Sequence, residues 1–216
     1  MTPHHLHALA AAWSLHNARQ HLAQLARDEQ RDIDAARLKP ADGLRSPVYG
    51  TRHPSGGHSD PLATLLLGAE RPDRVNRWAV LLDRADRVTT GVATMLRLTG
   101  DDPLSQIIAA SPRILPGTAA EVAQHLQDED GWLRPAIGMW PQREPMPGVP
   151  CPACQRRTLH VQTAGPESAW TVVCAADCRC TGEGCRCGMP GAVEATVHIW
   201  PRETVLGAGS NGGCHD

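Results

Sequence analysis

Residues 151–187 read CPACQRRTLHVQTAGPESAWTVVCAADCRCTGEGCRC, and every cysteine of the chain except Cys214 lies in this stretch. Cys151 and Cys154, two residues apart, form a knuckle. Its turn points both thiolates at one ion and leaves backbone N–H groups to bond the sulfurs. Nineteen residues separate Cys154 from Cys174, enough for a hairpin. Thr158 to Thr163 alternates as a strand, Ala164-Gly-Pro-Glu167 supplies the turn, and Trp170 to Val173 returns. The return brings Cys174 beside the first pair. Cys178 completes a tetrahedral set of four sulfurs, because three intervening residues suit a second knuckle. Cys180 is the alternative fourth ligand. This spacing predicts a zinc ribbon.

Cys180, Cys185 and Cys187 remain, closed around Thr181-Gly-Glu-Gly184. Beyond them Val193 to Trp200 alternates as a further strand, with Val193, Ala195, Val197 and Ile199 on one face and Thr196, His198 and Trp200 on the other. His198 is thereby placed to complete a second, Cys3His site. The spacing requires one zinc ion and leaves a second open. A module of about 50 residues buries too little apolar surface to fold comfortably alone. A structural zinc contributes roughly 10–16 kcal/mol of apparent binding free energy. That exceeds the net stability available from Leu159, Val161, Val172, Val173, Val197 and Ile199.

The chain has 216 residues and a formal charge of −2, so no global field draws it to nucleic acid or to an anionic membrane. No apolar run approaches the roughly 20 residues of a membrane span. The start, Met1-Thr-Pro-His-His-Leu-His7, lacks a cationic and then apolar leader. A cytoplasmic protein is expected, and in a reducing compartment clustered cysteines hold metal rather than disulfides.

Residues 2–38 read as one long helix. Thr2 caps it, Pro3 suits the first helical position and Lys39-Pro40 ends it. Leu15, Ala18, Leu22, Leu25, Ile33 and Ala36 form a narrow stripe fit for another helix of the same chain. His4, His5, His7, His16 and His21 read as a solvated face, since no carboxylate or cysteine completes a ligand set with them. Proline and glycine make 40–60 a loop. A short helix is expected from Asp60-Pro61 to Leu67. Another runs from Pro72-Asp73 to Leu98, with Val75, Trp78, Leu82, Ala85, Val88, Val92 and Met95 inward. A third extends through Ala110, and a fourth over 119–127 opens on the capping box Thr118-Ala-Ala-Glu121. The proline-rich residues 134–149 read as a connector. The fold class is α+β: a helical region 1–133, a linker 134–149, a zinc-ribbon module 150–202 and a disordered tail 203–216.

From Cys151-Pro-Ala-Cys154 to Trp200 the chain resembles uncharacterised actinobacterial and actinophage proteins in which a helical N-terminal region precedes a C-terminal CPxC zinc ribbon. The Arg, Ala, Gly and Pro bias, with Lys39 the only lysine, suits the GC-rich codons of such genomes. The extra Cys185-Arg-Cys187 loop departs from a simple four-cysteine ribbon.

Three function classes compete. In the first, the ribbon binds nucleic acid, with Arg156, Arg157, Arg179 and Arg186 on or near its knuckles and Trp170 and Trp200 as stacking surfaces. In the second it is an adaptor for a phage or host replication, recombination or transcription protein. The third, an enzyme acting on a small-molecule substrate, lacks its parts. Pro150-Cys151-Pro-Ala-Cys154 matches the PCxxC half of zinc nucleobase deaminases, but His125-Leu-Gln127 stands where H-x-E is required. No HExxH, Walker loop, GxSxG or dinucleotide fingerprint occurs. Thr118 to Leu126 suits the first helix of a helix-turn-helix, but Asp128-Glu-Asp-Gly131 makes a poor reading helix. The sequence therefore predicts a non-enzymatic zinc protein, nucleic-acid binding being preferred to the adaptor.

Overall fold

The computed structural model describes residues 1–38, 74–176 and 178–209. The expected loop 40–60, the helix at 61–67 and Cys214 lie outside them. Helix α1 (Pro3–Leu38) is the spine of the molecule. Helices α2 (Arg77–Met95), α3 (Pro103–Ala110) and α4 (Pro116–Ala136) pack along it. A four-stranded antiparallel sheet packs on its N-terminal turns, in the spatial order β1 (Arg143–Pro145), β2 (Leu159–Gln162), β3 (Thr171–Cys174), β4 (Ile199–Pro201). Helix α5 (Arg202–Gly209) follows β4. Helices and sheet are both present, and the fold is α+β.

The helical core is built on Leu15, Ala18 and Leu22 of α1, Ala85 and Val92 of α2, Leu104 and Ile107 of α3, and Val122, Leu126 and Leu133 of α4. Alanines at Ala8, Ala11, Ala12 and Ala18 let the helices approach closely. Ile33 is buried as expected, but Ala36 is exposed. Asn76 caps α2, its side chain accepting from the Ala79 N–H at 2.9 Å while donating to the Ala26 carbonyl at 2.7 Å. Ala85, Thr89, Val92 and Ala93 face inward, whereas Val75 and Met95 are exposed. Helix α4 starts at Pro116, ahead of the capping box, and continues through Asp128-Glu-Asp-Gly131 to Ala136. Buried Arg134 explains the extension. It donates to Asp130 at 2.9 Å, to the Ser14 carbonyl at 2.7 Å and to the Trp140 carbonyl at 3.0 Å, so one guanidinium ties α1, α4 and the start of the connector.

The connector is not only a linker, since it supplies edge strand β1, with Glu144 opposite Val161. The hairpin forms as the alternation predicts. Leu159 pairs with Cys174 and Val161 with Val172. Side chains alternate between two buried faces. Leu159, Val161, Val172 and Trp200 meet the cysteine loops, while Val173 and Ile199 pack on Leu6 of α1. The strand expected over 193–200 shrinks to β4 and one bridge, Arg179 with Val197, because a turn occupies 194–195. The tail expected from residue 203 begins as α5, whose Val205 joins the module core.

Two histidines correct the solvated-face reading. His5 is buried; the Thr2 N–H donates to its Nδ1 at 3.1 Å, leaving Nε2–H to donate to the Ile114 carbonyl at 2.8 Å. His7 Nε2–H donates to the Val197 carbonyl at 2.9 Å. Both hold α1 against the rest of the chain. At Gly165, in the β2–β3 turn, φ is +81° and a Cβ would stand 2.5 Å from Trp13 Cδ2. Only glycine lets the hairpin rest on α1 there.

Candidate metal centres

The first set comprises Cys151, Cys154, Cys174 and Cys178, whose sulfurs all lie within 4.8 Å of one another. The knuckle closes as expected. Gln155 N–H donates to the Cys151 carbonyl at 2.9 Å, and Cys151 N–H to the Arg156 carbonyl at 2.8 Å. Gln155 takes a left-handed φ of 62° to do so. The second pair arrives on β3 and the turn after it. Cys178, not Cys180, joins this set.

The second set comprises Cys180, Cys185, Cys187 and His198, again within 4.8 Å. The Gly182 N–H bonds Cys180 Sγ at 3.4 Å, in a tight turn. Cys180 N–H donates to the Thr196 carbonyl at 2.8 Å, and Ala195 N–H to the Cys180 carbonyl at 2.9 Å, so the loop closes on the segment carrying His198. The imidazole is 3 % exposed and stacks on Trp200 with centroids 5.4 Å apart. Trp200 is fixed in turn, its indole N–H donating to the Cys187 carbonyl at 2.9 Å.

The sulfurs are free thiols, not disulfides. The Cys151–Cys178 and Cys154–Cys174 separations are 3.7 and 3.8 Å, against about 2.05 Å for a bond. Backbone N–H groups converge on them. Cys151 receives hydrogen bonds from the backbone of Cys154 and Ala153, Cys174 from Ala176, Cys185 from Thr181 and Cys187, and Cys187 from Met189. Donors aimed at sulfur favour thiolate.

Their proton affinities diverge. Burial, then hydrogen bonds shared with Cys174, Cys151 and Cys154, pushes the Cys178 thiol far up. Burial likewise lifts Cys151, and it takes Cys187 to about 11. Burial also opposes ionisation of Cys174, but the Thr158 hydroxyl, 3.3 Å from its sulfur, and the Ala176 backbone outweigh it and bring Cys174 down to about 7. Hydrogen bonding from the Thr181 backbone leads the depression of Cys185 to about 5. Without a cation the crowded sulfurs cannot all ionise. A divalent ion removes that conflict, and each set can hold one.

The arginines singled out from the sequence are all exposed. Arg156 and Arg157 follow the first knuckle, Arg186 stands between Cys185 and Cys187, and Arg179 Nη1 donates to the Ala195 carbonyl at 3.3 Å. Trp200 is 1 % exposed and offers no stacking surface, which corrects that expectation. Trp170 is half-buried, bonded to the Gly165 carbonyl at 3.1 Å and faced by Arg202, which pairs with Glu167. Thr158 was not legible as a site residue; its signal is its position beside the Leu159–Cys174 pair.

No protein-family model matches the chain, and no curated protein or solved structure is significantly similar to it. Among the described residues no helix is long and apolar enough to cross a membrane.

Proposed function

We propose that residues 150–209 form a non-enzymatic module folded around two zinc ions, which presents arginines to nucleic-acid phosphate. The reading is supported by each set offering four candidate protein ligands, enough to fill a tetrahedral ion. Catalytic zinc sites keep a position for water or substrate, whereas structural sites fill all four. Sulfur-rich tetrahedral sets select zinc over magnesium or calcium. The spacing fits as well. Four sulfurs at about 2.3 Å from a tetrahedral ion stand about 3.8 Å apart. Cys151–Cys178 and Cys154–Cys174 stand 3.7 and 3.8 Å apart in the first set and Cys180–Cys187 4.0 Å in the second, with all ligand atoms of each set within 4.8 Å. Elemental analysis should return two zinc atoms per chain, and a metal-free folded module would refute the reading.

For nucleic acid the support is the state of the arginines. Arg156, Arg157 and Arg186 are exposed and have neither a side-chain hydrogen bond nor an ion pair among the described residues, so their charge is available to phosphate. Fluorescence anisotropy with labelled single-stranded DNA, duplex DNA and RNA should detect binding at low salt. Replacing both Arg156 and Arg157 by Ala should make the negative slope of log K against log salt shallower by about 1.4–1.8. No binding at low salt removes the proposal.

A second reading, the protein adaptor, rests on Trp140, 84 % exposed, and on exposed Leu115. Nuclease-resistant recovery of one protein partner, lost on Trp140→Ala, would favour it over the first.

A further inference from the structure

His198 touches both metal sets. Its Nε2 lies 3.3 Å from Cys185 Sγ, inside the second set, and its Nδ1 lies 3.2 Å from Cys178 Sγ, a member of the first. The ring cannot swing away. Trp200 stacks on one face, and the carbonyl of the preceding Val197 is held by His7 of α1.

We propose that His198 couples the two metal centres, so that an ion bound at either strengthens binding at the other; this rests on the reading of both sets as zinc sites. A neutral imidazole carries one N–H and one lone pair. When Nε2 gives its lone pair to the second ion, the proton resides on Nδ1 and points at Cys178. Nδ1–H then donates to the Cys178 thiolate. A histidine ligand has its tautomer set by the group that its other nitrogen meets. Here that group is a ligand of the neighbouring ion rather than a carboxylate or carbonyl. From the other direction, a Cys178 thiolate held by the first ion accepts from Nδ1–H and leaves Nε2 as the lone-pair nitrogen that the second ion needs. The linkage is reciprocal, as a coupling between binding sites must be. Charge favours it in this direction. Four thiolates around a dication carry about one more negative charge than three thiolates and an imidazole. The N–H therefore points from the less negative centre to the more negative one. Removing such an outer partner of a ligand typically costs about 10–100-fold in metal affinity.

The test uses the full chain with zinc alone as the probe. Metal-free protein is given one equivalent of zinc, and native mass spectrometry counts chains with none, one and two ions. Two equal and independent sites leave about half the chains with one ion, and a tenfold coupling lowers that share to about a quarter. His198→Cys keeps four protein ligands in the second set and removes Nδ1–H. The one-ion share should rise roughly twofold in this variant relative to wild type. Linkage through folding of the module lowers the one-ion share of both proteins, and the variant's share stays about two- to threefold the higher. Equal shares with both proteins filling to two ions overturn the coupling and leave the zinc reading standing. A wild-type chain that never takes a second ion overturns both. A second measurement does not depend on the variant folding. In wild-type protein loaded with cadmium-113, the His198 Nδ1 proton should show scalar coupling through the N–H···S bond to the cadmium of the four-sulfur centre. A Nδ1 proton that is coupled only to the cadmium bound at Nε2 overturns the proposal.

Discussion

Replacing Gly165 by Ala should loosen the β2–β3 hairpin from α1, and the size of the effect can be worked from two terms. Gly165 has φ +81°, where a residue with a Cβ loses roughly 1–2 kcal/mol. The added Cβ would also stand 2.5 Å from Trp13 Cδ2, 2.6 Å from Cγ and 2.9 Å from Cε3. An indole is stiff, and relieving such an overlap costs about 1–3 kcal/mol. Gly165→Ala should therefore destabilise the protein by about 2–5 kcal/mol, with a melting shift of roughly 2–4 °C for each kcal/mol in a chain of this size. The two terms are separable. In a Trp13→Ala background the overlap disappears and the backbone term stays, so the same substitution should cost only about 1–2 kcal/mol. The coupling energy of the cycle should be about 1–3 kcal/mol. Denaturant unfolding of the four proteins at one fixed zinc concentration measures it; the fixed concentration matters because bound metal adds stability by mass action. Equal costs in both backgrounds would show that Trp13 does not rest on the turn, and the close approach at Gly165 would be refuted.

Treatment of the zinc-loaded chain with a chelator should abolish the near-ultraviolet signals of Trp170 and Trp200 while most helical ellipticity persists, because the helical core has its own apolar interior. Unchanged tryptophan signals in verified metal-free protein would contradict a metal-dependent module. Gln155→Gly should raise stability by about 0.5–1 kcal/mol, since glycine takes the left-handed conformation at φ 62° without the strain and loses only chain entropy; a lower thermal midpoint would count against the knuckle geometry. Burial holds His7 below the ordinary histidine value, against the opposing bond to Val197, and His4 adds to the depression. The unfolded chain therefore binds a proton near pH 6.5 before the folded one does. The stability from His7 is full above that pH and lost as pH falls toward its lower folded value. Between about pH 7.5 and about pH 5.5, His7→Asn should lose less thermal stability than wild type, and an identical loss would refute the assignment.

Much of the first metal set was legible because its geometry is local. A hairpin with period-two alternation fixes its own register, so Cys174 had to return beside Cys154, and the longer gap to Cys178 provided the second knuckle. Helices α1 to α4 were legible in place, less so in extent, and α5 was missed because it falls where a disordered tail was expected. The capping box at Thr118 misplaced the start of α4, and its end was hidden because what prolongs the helix is Arg134 reaching the Ser14 carbonyl 120 residues away. A hydrogen bond across that separation leaves no periodic trace in the sequence.

By itself the sequence determined the ingredients and their short-range order: the sulfur spacing, the hairpin and the apolar stripe of α1. Tertiary structure decided which groups meet. It turned His5 and His7 from a solvated face into staples, buried Trp200, drew a strand from the connector and set one imidazole between two metal sets. The reason is physical. Spacing along a chain constrains contacts within a turn or a hairpin, where few dihedrals intervene. Which distant faces pack together depends on the summed burial and hydrogen bonding of the whole chain.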